Sequence, residues 1–590
     1  MVEVDRGMRM AKCDQQDSTD LKEEVRLKGL RVDRSPPFLL NIALALQHVL
    51  VQVSVCTLVV GALVEEVERE RMAASVFFYS GICTFLQSYF GSCLPLIQAP
   101  SLDFLIPALV LLSQTENTLA CRGQCEKSKE FEAPTTHPVR ELQGMAVVAG
   151  LVQLSVGWFG VGGACLSRCG PLVLTPVLCI LGFSIYREAA LLCSDHWGFA
   201  LLTVVLLVFL SQHLRSCFLP NCLRLPQYPV FSRLSVLLSV LFVWFLCTAL
   251  HQFGLFIPHS VPELLLGETR FNRTIIQYWT VTNSSSLSFT HPTSSWLHLP
   301  LPGLGLPLLS DRSIAAGIAS GLSASISSEA VYVFTARLLK APRPPSQACN
   351  RGLSVEGLGS VLSGLMGAPV GLSSSVANAC TLGISQCGSR ATVRIAGGML
   401  LVLGVFLQLT HLLTSIPLAV HGAVLSVCYT VAASTGITYL QYTDVDSGRN
   451  IFNTGFTVFM ALVLPRWFRV HSDIIYTGVP WLGVFLKSCL MLPVLLVGFL
   501  AFFLDHTVSG SLSERGFEQD QSTKKICSLA DKSEESYQSR ETLYEPPLFV
   551  KKLLDLPGLR IIPFFACRSP DVEKSVGTSP EIEMSSLLPQ

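Results

Sequence analysis

Residues 364–390, GLMGAPVGLSSSVANACTLGISQCGSR, set Ser373, Ser374, Ser375 and Asn378 between two strongly apolar stretches. An asparagine offers two N–H donors and one carbonyl acceptor, which suits a ligand edge that mixes keto with NH or hydroxyl groups. Inside a membrane the same side chain also serves as a tie between helices. The serines present oxygens of the kind Na⁺ takes as ligands, and they equally serve as small contact residues. Asp103 and Glu329 are carboxylates within apolar runs. A charge there is expensive and ordinarily faces a cavity, a partner or an ion path. Each would balance Na⁺ or a proton, or pair with a polar neighbour. No nucleophile with its base, no metal cluster and no phosphate loop is recognisable, so neither an enzyme nor a bound cofactor is expected.

The elements that position these residues are broken membrane spans. In lipid every backbone amide needs an internal partner, so a polar, interrupted span survives only where it lines a cavity. A second interruption lies at residues 93–113, CLPLIQAPSLDFLIPALVLLS. Two interrupted segments at corresponding positions of two halves point to a transporter site built by inverted repeats. Composition agrees. Half of the 590 residues are hydrophobic and only 14% are charged, against roughly 25% in soluble domains. The 42 basic and 42 acidic residues cancel, which gives no reason to propose nucleic acid.

Apolar stretches near the roughly 20 residues a helix needs to cross hydrocarbon recur at 37–62, 72–91, 94–113, 142–160, 168–186, 196–214, 230–252, 312–338, 354–369, 372–388, 392–414, 416–438, 450–464 and 480–504. The expected fold is therefore an all-α polytopic membrane protein of about fourteen segments, arranged as two sets of seven. A run of basic residues from Arg6 to Arg34 precedes the first span and places the 1–36 tail in the cytosol. An even span count puts the 505–590 tail there too. Inward connections then hold Arg215, Arg224, Lys340, Arg343, Arg351 and Arg390, while Arg466 and Arg469 fall on the outer side as exceptions. The outer loop at 253–311 carries two glycosylation sequons, Asn272 with Thr274 and Asn283 with Ser285. Most of the 20 cysteines lie in spans as small packing residues, but Cys121 and Cys125 sit in a polar outer loop where a short disulfide is chemically permitted. The Ser/Glu-rich C-terminal tail, with one apolar patch at LRIIPFFAC, is expected to be mostly disordered.

The stretch from Ala377 to Gln386 resembles the signature of the nucleobase and ascorbate transporter family: Gln/Glu/Pro, Asn, any, Gly, any four, Thr, Arg/Lys/Gly. Asn378 and the spacing are kept, while Ala377, Cys380, Ser385 and Gln386 replace the other fixed positions. Gln47 and His48 resemble the family's Gln-His motif. LPLIQAPSLDFLIPA, TARLLKAPRPPSQACNRGLSVEG and DHTVSGSLSERG resemble its third span, its link from span eight to nine and the end of its last span. The likeness covers about residues 35–520 and is nearest the sodium-dependent vitamin C transporter group, as a divergent member.

That resemblance implies a core domain (37–160 and 312–414), a gate domain (161–252 and 415–504), and a homodimer joined through the gates. It implies a solute held between span eight and two short strands, Pro100 to Phe104 and Ser373 to Ala377, whose half-helices aim partial positive charge at a bound oxygen. Ser101, Leu102, Ser327, Ala377 and Asn378 would meet the solute; Asp103, Glu329 and Ser373 to Ser375 would meet the coupling ion, Na⁺. Ser327 stands where the family has its solute-binding glutamate. Glu329, two residues and about 200° around the helix, does not take its place. Gln98 and Glu356 match family positions, and His48 reads as a structural hydrogen-bonder before a ligand. The expected function is Na⁺-coupled transport at the plasma membrane of a small polar ring solute, leaning to a purine such as hypoxanthine or xanthine. Ascorbate transport and a non-transporting partner role are the alternatives.

Overall fold

The computed structural model describes residues 36–64, 66–123, 136–217, 229–253, 296–297, 305–471, 474–475, 477–511, 514–516, 542–547 and 550. Asn272, Asn283 and Cys125 lie outside them. The first half runs α1 (Phe38–Leu63), α2 (Glu66–Tyr89), β1 (Gln98–Ala99), α3 (Leu102–Gly123), α4 (Thr136–Trp158), α5 (Val161–Arg168), α6 (Pro171–Phe183), α7 (Tyr186–Cys193), α8 (Trp197–Val208) and α9 (Ser235–Gln252). The second runs α10 (Asp311–Leu338), α11 (Ser346–Leu365), β2 (Ser373–Ser374), α12 (Val376–Ser385), α13 (Arg390–Val405), α14 (Leu407–Thr414), α15 (Leu418–Thr438), α16 (Gly448–Val470), α17 (Pro480–Met491) and α18 (Pro493–Thr507). The order helix, helix, strand with half-helix, helix thus occurs twice. The chain is predominantly helical and crosses the membrane several times.

Among the described residues six helices are long and apolar enough to span a bilayer, or eight if two bent pairs each count as one. At 26 residues α1 is about 39 Å long, ample for a hydrocarbon core near 30 Å. The bends have local causes. Gly160, in the left-handed region at φ 73°, turns α4 by 66° into α5. Pro493 can donate no hydrogen bond, and α17 meets α18 at 75°. The remaining expected segments, α2, α3, α8, α11, α12 and α13, are too short or too polar to pass that test. Polarity is tolerated in α11 because most of its residues are buried against other helices rather than lipid.

Helices α1 to α5 pack chiefly with α10 to α14, and α6 to α9 with α15, α16 and α18, while α17 lies against α10 and α3. One expected boundary shifts. Val161–Arg168 sits on α11, with Gly162 against Leu353 and Gly163 against Ser346 and Asn350, so the first group extends through α5. The tightest contact joins α4 to α11 through glycines seven apart on each helix, Gly150 with Gly157 and Gly357 with Gly364. A Cβ on Gly357 would lie 2.3 Å from Leu154 N, and one on Gly150 2.6 Å from Val361 N. Backbones touch there, as small residues permit in membrane bundles.

Polar pairs separate the two ends of the bundle. At one end Glu141 meets Arg312, Glu70 meets His411 and Glu188 meets Arg469. That last pair, 2.9 Å apart and largely buried, accounts for one of the two basic exceptions expected on the outer side. At the other end Arg343 donates to the carbonyls of Leu166 and Cys169, and Asp505 holds Arg449 and Arg515.

Candidate functional site

The interrupted segments meet. Gln98 pairs with Ser374 and Ala99 with Ser373 in an antiparallel register, and Ser375 N extends the pairing to Ile97 O at 2.9 Å. The expected first strand, Pro100 to Phe104, is corrected to Gln98–Ala99: Pro100 has no N–H to give a ladder, and the chain is already helical at Leu102. Likewise the second strand ends at Ser374, because Ser375 caps α12, its hydroxyl accepting from Asn378 N at 3.3 Å. The half-helices α3 and α12 therefore both start from one two-stranded ribbon, each with the partial positive charge of its N-terminus at the buried ribbon. Ser101 and Leu102, at the mouth of α3, are half-buried, and Ala377 is fully buried.

Asn378 is tied on three sides. His48 Nδ1–H donates to its amide oxygen at 3.0 Å, and its NH₂ donates to Gln52 Oε1 at 3.1 Å and Ser375 Oγ at 3.2 Å. Gln52 in turn donates to Gln98 O and to Ser80, whose hydroxyl also donates to Gln98 O. One chain of hydrogen bonds thus links α1 and α2 to β1 and to the first turn of α12.

Glu356 on α11 is the second hub. It accepts from Ser328 at 2.5 Å, Ser374 at 2.5 Å, Tyr332 at 2.6 Å, Gln87 at 3.3 Å and Gln98 at 3.5 Å. Burying a carboxylate is costly unless it is richly hydrogen-bonded, which five donors accomplish. Asp103, in the first turn of α3, accepts from Ser323 at 2.5 Å and Ser101 at 3.3 Å, while Ser320 donates to its main-chain oxygen at 2.7 Å. Ser327 faces Asp103 without forming a hydrogen bond of ordinary geometry. Two buried oxygens of this region, Ser327 Oγ and Gln98 Oε1, have no hydrogen-bond partner among the described residues.

The polar layer brings together His48, Gln98, Ser101, Asp103, Ser327, Glu356, Ser374, Ser375 and Asn378. It leaves out Glu329. That carboxylate turns toward α5, where its Oε1 is buried with no hydrogen bond among the described residues and would lie 2.2 Å from a Cβ on Gly162. The expectation of Glu329 as an ion ligand at the site is corrected, since the helical turn from Ser327 points it to another face. Gln47 is also elsewhere: it donates to Arg233 O at 3.1 Å and accepts from Leu237 N at 3.2 Å, fastening α1 to the turn before α9. Ser385 donates to Thr381 O, Gln386 ends α12 in the left-handed region at φ 51°, and Cys380 is packed beside Cys428; these signature positions shape the helix and do not reach the layer. Ser373 contributes its backbone to the ribbon. Cys121 lies within the helical span of α3, not in the loop expected for it.

Sequence reasoning missed Gln52, Ser80, Ser320, Ser323, Ser328 and Tyr332. A signal existed for some of them. Ser320, Ser323 and Ser327 are spaced by three and four, one face of a helix, and that face meets Asp103.

Between the two helix groups Arg337 reaches from α10 to the end of α15. Its guanidinium stacks 4.4 Å from the Tyr439 ring and 4.9 Å from that of Tyr442, and donates to Tyr442 OH at 2.8 Å and Thr438 Oγ1 at 3.3 Å.

Residues 40–470 match the model of the Permease family, Xan_ur_permease. Solute carrier family 23 member 3 of Mus musculus is 41% identical over 501 residues, covering 82% of this chain and 77% of the relative. Solute carrier family 23 member 1 of Rattus norvegicus is 31% identical over 515 residues, covering 83% and 82%. Nucleobase-ascorbate transporter 1 of Arabidopsis thaliana is 25% identical over 498 residues, covering 82% and 90%.

Proposed function

We propose, from the premise that this chain belongs to the nucleobase-ascorbate transporters of the Permease family, that it carries a neutral purine nucleobase, hypoxanthine or xanthine, together with Na⁺ by alternating access. The observation that supports this most is the charge of the polar layer. Asp103 and Glu356 are both buried there, and among the described residues no lysine or arginine is hydrogen-bonded to either. A layer with carboxylates and no cation repels an anionic solute and favours a cation beside a neutral, hydrogen-bonding plate. Half-helix amides, Ser327 Oγ and Gln98 Oε1 supply the donors and acceptors that a purine edge mixes.

In this reading Asp103, cradled by Ser101 and Ser323, holds the coupling ion, and Glu356 fixes the ribbon. The group of α1 to α5 and α10 to α14 acts as the moving core. The other group acts as the gate and as the contact of a homodimer in the plasma membrane, with both tails cytosolic. The test is radiotracer uptake of hypoxanthine, xanthine, urate and ascorbate into expressing cells, with and without Na⁺, beside surface abundance. Na⁺-dependent purine uptake is expected. Ascorbate uptake alone would overturn the solute assignment. A second reading, a non-transporting partner protein, draws on the full engagement of the Asn378 NH₂ by Gln52 and Ser375, and is selected if no tracer enters cells that display the protein.

A further inference from the structure

Far along the chain from the last helix, residues 542–547 return to the bundle as a turn of 3-10 helix at Thr542–Tyr544 followed by Glu545, Pro546 and Pro547. Leu543, Tyr544 and Val550 are buried, at 9%, 4% and 0% exposure. The expectation of a mostly disordered tail fails for this piece. Two arginines hold its main chain: Arg351 donates to Tyr544 O at 2.6 Å and Arg390 donates to Leu543 O. The Tyr544 hydroxyl donates to Pro342 O at 2.5 Å.

The anchors are not scattered. Arg351 also donates, through Nε, to Gly91 O at 3.4 Å, in the connection from α2 to β1, and it shares α11 with Glu356. Arg390 opens α13, four residues after Gln386, the residue that caps the C-terminus of α12. Pro342 lies in the link from α10 to α11. The segment thus reaches, through Arg351, the connection that enters one broken element, and it binds the first residue of the helix that follows the other and the link between the two helices that supply Ser327 and Glu356.

We propose that this face is a docking surface for the chain's own residues 542–547, and that the docked segment acts as a strap restraining the connections at 90–97 and 386–390, and through them the ribbon and half-helices. Guanidinium groups suit main-chain carbonyls because each presents several donors in a fixed fork. Buried without the strap, Arg351 and Pro342 O would lose partners, a cost that keeps the strap seated. Attachment to the same chain makes docking intramolecular, so a short contact suffices. The strap does not depend on which solute is carried.

The test is hydrogen exchange on the full-length protein in lipid nanodiscs, comparing the natural chain with Tyr544→Ala and with a chain ending at Arg540. Both variants are expected to speed amide exchange in 90–97 and 386–390 by about tenfold, the scale of local opening that loses a few contacts. Tyr544→Phe, which loses only the bond to Pro342 O, is expected to fall between. A synthetic peptide of residues 538–552 added to the shortened chain is expected to slow exchange again. Unchanged exchange in both connections for Tyr544→Ala and the shortened chain overturns the strap, as does a peptide that restores nothing. Uptake plays no part in this readout, so failure of the transport reading and failure of the strap are told apart.

Discussion

His48 Nδ1 and Asn378 Oδ1, 330 residues apart in sequence, lie 3.0 Å apart in the fold and join α1 to the first turn of α12. Both side chains are almost fully buried, so deleting either leaves the other without its partner. Each orphaned group costs about 1–3 kcal/mol. Asn378→Ala is expected to lose uptake and also to lower the thermal midpoint in detergent, because Gln52 and Ser375 lose bonds as well. The double variant with His48→Ala is expected to be less destabilised than the sum of the two singles, by about 0.5–3 kcal/mol. Strict additivity would show that the pair does not interact.

Asp103→Asn keeps the size of the side chain and an oxygen for Ser323, but removes the charge. If Asp103 holds the coupling ion, uptake becomes equal in Na⁺ and in choline medium while surface abundance stays normal. A retained Na⁺ requirement would move the ion elsewhere in the layer.

Ser327→Glu sets a carboxylate beside Asp103 and toward the solute region, where charge-assisted hydrogen bonds to ring N–H groups are roughly twice as strong as neutral ones. A lower KM for a purine, or a changed order among purines, is expected. Glu329→Gln, on the face toward Gly162, is expected to leave KM and Na⁺ dependence unchanged. Competition assays on both variants at matched surface abundance decide it, and a Na⁺ effect at Glu329 would return that residue to the transport path.

Arg337→Lys keeps a positive charge but loses the planar fork that stacks on Tyr439 and Tyr442. Cation–π contacts are worth about 0.5–1 kcal/mol each at exposed sites, so the tie between α10 and the end of α15 is weakened several-fold. Labelling of a cysteine introduced at Thr438 by a membrane-permeant reagent is expected to accelerate by that factor. Equal labelling would confine Arg337 to packing.

The Asn272→Gln, Asn283→Gln double variant is expected to lack a mass shift that glycosidase removes from the natural chain, and an epitope on either tail is expected to stay unlabelled on intact cells. Surface labelling of either terminus would reverse the orientation.

The broken spans were legible because polar residues at 98–103 and 373–378 contradict the solvent that spans must match. Register was not. A ribbon of two-residue strands is set by its tertiary partner, and nothing local told Gln98 from Ser101. Helical geometry alone separated Ser327 from Glu329, since a turn of about 200° survives any packing. The donors to Glu356 come from α2, β1, α10 and β2. Such long-range convergence leaves no periodic trace, whereas the serine spacing on α10 did.

The glycine seam between α4 and α11 has a mechanical corollary. With main chain against main chain at Gly150 and Gly357, no compressible layer lies between the helices. Rolling either helix by one residue, about 100°, would drive a Cβ into its neighbour's backbone. The pair is a beam rather than a bearing. Strain applied to it emerges at its ends, and one end is Gly160, whose left-handed backbone carries the chain through 66° into α5.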